Sequence, residues 1–341
     1  MKLGWHIGYW GATPRRDVRD TLLAVEAMGF DSAWTSEAYG SDALTPLAWY
    51  GSATTRLRLG TSIAQMSART PTAMAMAAMT LDHLTEGRFA LGLGVSGPQI
   101  VEGWYGAPFP RPLARTREYV DIVRQTLARD QPVTSAGPHY PLPHPGGAGL
   151  GKPLRLITHP RQPGPPILLA AEGPRNVELV AEIGDGWLPI LFSPRQVDDA
   201  VEQLKRGWSK PAARRSAEDF EILPMVSVAV DDDLETAADR LRPALALYVG
   251  GMGAKSANFH FEKFCRLGYE AEATRIQELF LGGHKKEAIA AVTTAMVEEV
   301  SLVGPKEKIR DDLDAWKESP ATTLLIAGDL PLLRTMAELV L

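Results

Sequence analysis

Residues 90–99 read ALGLGVSGPQ. Gly92, Gly94 and Gly97 match G-x-G-x-x-G, the spacing of a dinucleotide-binding Rossmann loop. That motif needs a strand before it, a helix directly after it and an acidic residue about 20 positions on, at the end of a second strand. Only the strand is evident. Read with a period of two, Phe89, Leu91, Leu93 and Val95 share one face, and Ala90, Gly92, Gly94 and Ser96 share the other. The large set suits contact with helices. The small set suits the axis of a barrel. Gly97-Pro98 then reads as a tight turn rather than the start of a helix, and the Rossmann spacing as coincidence. G-x-S-x-G at 94–98 also fails, because Pro98 stands where the last glycine belongs.

The flanking sequence repeats one unit. Residues 3–9, LGWHIGY, alternate as a strand, with Gly4, His6 and Gly8 on one face. RDVRDTLLAVEAMGF follows with helical spacing, and Gly29 sits at the C-cap. Strands are expected at 31–37 and 56–63, with a helix at 43–55 between them. Thr70-Pro71 opens the next helix, Thr as N-cap and Pro at the first position. It ends at Gly87, before the strand at 88–95 and a helix at 117–128. Further strands are expected at 166–173, 185–191, 219–230 and 321–328. Strand and helix in alternation mean a parallel sheet. Eight such units predict an α/β fold, a (β/α)8 TIM barrel with insertions, forming one domain over 1–341. The active-site loops of such a barrel lie at the C-terminal ends of its strands.

Two stretches interrupt the rhythm. Residues 131–166 hold ten of the 26 prolines, too many for a regular element. This insertion is expected to pack over the open end of the barrel or against a second subunit, and its length predicts a homodimer. A second insertion is expected at 250–285.

Composition limits the function. The chain has 341 residues, 45% of them hydrophobic, and a formal net charge of −5. It has no basic tract, which argues against nucleic acid or an anionic membrane as partner. Cys265 is the single cysteine, so no disulfide forms within the chain. The N-terminal residues lack a secretory h-region and the longest apolar run is too short for a bilayer. A cytoplasmic protein is expected. The seven histidines are scattered, with neither HExxH nor a Cys/His cluster, so no metal is expected.

Small residues facing the axis from three strands (Gly4 and Gly8, Gly60 and Ser62, Gly92 and Gly94) leave space near the mouth. Large neighbours such as Trp5 or Met74 fill it, or a planar ligand does.

The chain resembles the luciferase-like monooxygenase superfamily, and within it the coenzyme F420-dependent oxidoreductases of actinobacteria. AMGFDSAWTSEAYGSD, RLGTSIAQMSARTP, LDHLTEGRFALGLGVSGPQIVEGW, YPLPHPGGAGLGKPL, ILLAAEGPRNVELVAEIGDGWLP and SLVGPKEKI carry the likeness. The resemblance implies a cofactor across the barrel mouth and hydride transfer between a deazaflavin and a small organic substrate. An FMN-dependent monooxygenase and a flavin-binding protein without turnover are the alternatives.

Site residues follow from both readings. Gly173 can cap the helix that Pro174 opens, leaving the amides of Arg175 and Asn176 for a phosphate. The resemblance places the cofactor's phosphate on this loop, with Ala171 and Glu172 beside it. It also implies a non-prolyl cis peptide at Ser62–Ile63, pressed against the cofactor's central ring, with Gln65 nearby. Gly94, Ser96, Gly97 and Gln99 would line the cofactor. Glu37 ends the second strand and faces the mouth, as a proton carrier or a cofactor contact. Several relatives have a histidine after the acidic residue; here it is Ala38. His6 and His260 are the remaining acid–base candidates, each against a packing role. Arg69, Arg111, Arg115 and Arg117 could line a groove for the anionic tail of F420.

Overall fold

The structure is a computed structural model and describes residues 1–161, 163–252 and 258–341. Residues 253–257 of the expected second insertion therefore lie outside the described residues. The strands are β1 (Lys2–Gly8), β2 (Ser32–Thr35), β3 (Arg58–Thr61), β4 (Ala64–Gln65), β5 (Phe89–Gly94) and β6 (Ile167–Leu169). They continue with β7 (Gly186–Trp187), β8 (Glu221–Ile222), β9 (Met225–Val230), β10 (Ser301–Gly304) and β11 (Thr323–Ile326). All pair in parallel, in the order β10-β9-β11-β1-β2-β3-β5-β6-β7-β8, with β4 on β5. The result is a curled parallel sheet wrapped by helices.

The local reasons are those of the sequence. Gly29 ends the helix Val18–Met28 at φ 93°, a left-handed cap that glycine adopts without strain. Thr70 Oγ1 accepts from Ala73 N–H to start the helix Pro71–Leu84. Differences occur where a strand breaks. The expected strand 56–63 is cut short to 58–61 by the bend at Ser62–Ile63, with a separate short strand at 64–65, and 219–230 is split at Leu223-Pro224, where proline has no N–H for the ladder. β10 and the helix Leu330–Val340 have no counterpart in the sequence reading. A helix, Pro98–Gly103, starts immediately after Gly97. The tight turn expected there is incorrect, because proline's fixed φ suits the first helical position. The next helix, Pro112–Ala128, also starts earlier than expected, again on a proline.

The period-two reading of β5 holds. Phe89, Leu91 and Leu93 join the outer cluster against the helices, whereas Ala90 joins an inner cluster with Trp34, Leu168, Leu188, Leu223 and Leu325. Protein fills the interior between the glycines. A Cβ on Gly60 would lie 2.2 Å from the Trp34 ring, and one on Gly4 2.6 Å from Leu325 Cδ2. A Cβ on Gly92 would meet the Thr61 carbonyl oxygen at 1.7 Å. The glycines therefore admit Trp34 and close strand contacts. Trp5 and Met74 face the outer cluster instead. A planar ligand between these strands is excluded at this level, which leaves the space beyond their C-terminal ends.

Residues 139–156 of the insertion run along the helix Pro112–Ala128. Glu118 accepts from the amides of His139 and Tyr140, and Arg129 Nε donates to Leu156 O. Among the described residues, no helix is long and apolar enough to cross a membrane.

Gly60→Ala should lower unfolding free energy by about 1–3 kcal/mol, since the methyl group overpacks a full interior. Trp34→Leu should remove most of that penalty. Urea unfolding of both single variants and the double variant measures the coupling; additive losses would show that the two side chains do not meet.

Candidate functional site

The C-terminal ends of β1, β2 and β3 are laced together around one peptide bond. Ser62–Ile63 is a cis non-prolyl peptide. Ser62 O accepts from Ser36 Oγ at 2.7 Å, and His6 Nε2 lies 2.9 Å from that hydroxyl and 3.3 Å from Ser62 O. Ile63 O accepts from Glu37 N–H at 3.0 Å. Because Ser36 gives its proton to Ser62 O, its lone pair accepts from His6 Nε2–H. This network assigns the neutral Nε2–H tautomer and leaves Nδ1 as an acceptor. Burial lowers the His6 pKa below its ordinary value, and the bond to Ser62 O offsets only part of that. Ser36 was not singled out in the sequence; its position one residue before Glu37 at a strand end was the available signal.

Glu37 is buried and fully engaged. Arg69 Nη1 lies 2.9 Å from both of its carboxylate oxygens, and Gln65 N–H donates to Oε2 at 2.8 Å. Gln65 Nε2 donates to Glu37 O at 3.0 Å. Glu37 thus fixes the chain on the C-terminal side of the cis peptide, at Ile63 and Gln65. Gln65 Oε1 is buried without a hydrogen-bond partner among the described residues.

A second group surrounds β6 and β7. Glu172 accepts from Ile190 N–H at 2.9 Å and from Lys263 Nζ at 3.0 Å, and Lys263 also donates to Ile190 O at 2.6 Å. Lys263 lies on the helix Phe259–Arg266, which Asn258 caps through Oδ1 to the amides of His260 and Phe261. The His260 ring meets Tyr248 edge to face at 5.0 Å, and its buried Nδ1 has no partner among the described residues. Burial lowers the His260 pKa; the Glu172 charge opposes this and Lys263 adds to it. Lys263 and Tyr248 were not expected from the sequence. Lys263 follows His260 by three residues on one helix face, which is the signal that was present.

Gly173 precedes the helix Pro174–Ile183, and a Cβ placed on it would meet nothing within 4 Å. Arg175 is exposed, and its N–H makes no hydrogen bond among the described residues. Asn176 differs from expectation. Its N–H donates to Gly173 O at 2.9 Å, a tight first-turn bond that removes it from the free donors. Ala171 is buried, and its carbonyl accepts from Trp187 Nε1. Gly94 packs against Ile63, Ser96 has φ 58°, and Gln99 lies exposed on the helix that Gly97 caps.

The expected basic groove is largely taken. Arg69 holds Glu37, and Arg115 donates to Pro108 O and to the Tyr140 hydroxyl. Arg117 makes two 2.7 Å bonds to Glu182. Buried or half-buried acceptors close to each guanidinium outcompete solvent-facing use. Arg111 is exposed and carries no ion pair among the described residues.

The sequence model of the luciferase-like monooxygenase family matches residues 2–323. A protein of Mycobacterium tuberculosis, named provisionally as a coenzyme F420-dependent oxidoreductase, is 53% identical over 100% of this chain and 99% of its own length. The structure of coenzyme F420-dependent tetrahydromethanopterin reductase from Methanopyrus kandleri superposes with a TM-score of 0.80 at 21% identity, covering 100% and 99% of the two chains. An F420-dependent secondary alcohol dehydrogenase, in complex with an F420-acetone adduct, superposes at 0.75 with 17% identity, covering 99% and 98%.

Arg69→Met should cost about 3–5 kcal/mol, toward the low end because Arg69 keeps some solvent contact, since it strands a buried carboxylate. Glu37→Gln in the same background should recover part of the loss, and urea unfolding reads both. A second expectation concerns pH. His6 and His260 both titrate below their unfolded value of about 6.5, so the unfolded chain binds protons first as pH falls. Their contribution to stability is full above that value and is lost on acidification below it. The double variant His6→Gln/His260→Gln should have a flatter unfolding free energy between about pH 6.5 and 5; an unchanged slope would show that these rings do not carry the effect.

Proposed function

The chain belongs to the luciferase-like monooxygenase family, and from that membership we propose that it is a coenzyme F420-dependent oxidoreductase acting on a small organic substrate. The observation that carries the cofactor assignment is that the three relatives described above all have F420 in their names. We read the sheet as a complete (β/α)8 barrel in one domain. With β10 set aside as an outer strand on β9, its path runs from β9 round to β8, pieces of one extended stretch; Met225 N–H donates to Pro189 O and Leu325 N–H to Pro224 O.

The residues at the mouth fit a phosphate-bearing, planar cofactor. Gly173 leaves open space at a helix N-terminus, where partial positive charge favours an anion, and Arg175 adds a full charge. Gln65 Oε1 is an unused buried acceptor for a ring N–H. A bound deazaflavin would supply the hydride donor or acceptor. Ser62–Ile63 would set the plane of its ring, and Gly94, Ser96, Gly97 and Gln99 would form the adjoining wall. His6 handles the proton in this reading: its ring is neutral and its tautomer is set by Ser36. Glu37 is the positioning residue, since Arg69 and Gln65 already occupy its carboxylate. His260 sits at the other side of the mouth, beside Glu172.

We further propose a homodimer. Leu150, Leu154 and Ile157 of the insertion are 87%, 67% and 88% exposed, beside a helix that exposes Met76 and Leu84. His159 O, bonded to the His83 ring, joins the two surfaces. Clustered apolar exposure of this kind marks an interface. Sedimentation showing only a 37.0 kDa species at micromolar concentration would contradict it.

Arg175→Glu should weaken F420 binding by roughly a hundredfold with little change in apo-protein melting temperature. His6→Gln should lower turnover far more than F420 affinity and remove the acid limb of the pH–rate profile. Fluorescence titration and steady-state rates test both. Tighter binding of FMN than of F420, with oxygen consumed when reduced FMN is supplied, would replace this reading with the monooxygenase one.

A further inference from the structure

β9 rises past the barrel with two different faces. Val226 and Val228 pack outward in the cluster that contains Ile309, Leu313 and Trp316. Met225 and Ser227 project from the opposite face, the side of the barrel interior. Farther along that face, Ala229, with Val303 of β10, joins a separate cluster beneath the helix Leu234–Gly251. This helix therefore covers the inner side of the strands where they leave the barrel.

Between the helix and the strand ends is a small, partly open cavity. Met225 and Ser227 line it from β9, Leu241, Ala244 and Tyr248 from the helix, and Ser301 from the start of β10. Its polar side chains are the hydroxyls of Ser227, Ser301 and Tyr248, and no lining side chain is charged. The Tyr248 hydroxyl makes no hydrogen bond to protein among the described residues. Ile190 also lines the cavity, and its amide and carbonyl are the groups held by Glu172 and Lys263. The cavity wall is thus tied to the residues that precede Gly173. Glu172 and Lys263 neutralise each other at 3.0 Å.

We propose that this cavity is the substrate pocket and that it takes an uncharged, mainly apolar molecule that turns an oxygen toward the Tyr248 hydroxyl. The assignment rests on the oxidoreductase reading, because it places substrate next to the cofactor loop. Apolar surface gains on leaving water for this lining. A charged substrate would give up hydration with no counter-ion in the walls to replace it. Hydroxyls alone can orient an alcohol, carbonyl or ether oxygen without selecting a charge.

Two fluorescent probes that differ chiefly by a sulfonate test the assignment on the F420-loaded protein. Uncharged N-phenyl-1-naphthylamine should bind once per chain, and 1-anilinonaphthalene-8-sulfonate at least about tenfold more weakly. Ala244→Trp, at a helix position with solvent on one side, should weaken the neutral probe by about tenfold or more while F420 affinity stays within about twofold. Leu241→Trp provides a second filling variant should the first fold poorly. Equal or tighter binding of the sulfonate would overturn the uncharged class. Unchanged neutral-probe binding in both variants would place the probe elsewhere and overturn the pocket. A parallel loss of F420 affinity would make the cavity part of the cofactor site. If wild-type protein binds the neutral probe but not F420, the oxidoreductase reading itself falls, and the substrate assignment with it.

Discussion

The buried carboxylate of Glu37 holds the C-terminal strand ends of the curled sheet in shape. It receives Arg69 at both oxygens and the Gln65 amide, while its own amide donates to Ile63 O and its carbonyl accepts from the Gln65 side chain. These bonds hold the chain just after the cis peptide. Ser36 and His6 then secure the remaining carbonyl, that of Ser62. A charge this deep is tolerated only because it is paired and hydrogen-bonded. Every group proposed to meet the ring of a cofactor depends on that arrangement.

The same economy governs the barrel interior. Three strands present glycine inward, and the result is a packed layer rather than a chamber. Trp34 lies across Gly60 and reaches toward Gly4, and Leu188 and Leu325 complete the filling. A large side chain on one strand offsets absent ones on its neighbours, as native packing density requires. Ligands are thereby confined to the space above this layer, where the laced strand ends form one side and the loop at Glu172–Gly173 forms the other.

The helices between β9 and β10 complete the third side. They use the inner face of strands that have outgrown the barrel, so an apolar cavity arises between the helix Leu234–Gly251 and the mouth. The Glu172–Lys263 pair pins this superstructure to the barrel. The loop at Glu172–Gly173, the cavity wall and the helix bearing His260 are consequently one mechanical unit.

Much was legible in the order of residues. Strand–helix alternation, the period-two face of β5 and the caps at Gly29 and Thr70 are local properties, set by sterics and hydrogen bonding within a few residues. The Gly-Pro helix start at 173–174 is equally local, and so was recognisable as an anion-binding candidate. The tertiary structure alone decided how charges and volumes pair. Arg69 is 32 residues from Glu37, and nothing in either neighbourhood announces that one will neutralise the other. The Asn176 amide looked free until the first turn tightened onto Gly173 O. Trp34, unremarked in its strand, filled the space that the glycines of other strands had left. Sequence spacing records which groups a segment presents; only the closed packing of distant segments determines which of them remain unpaired, and those are the groups a ligand can use.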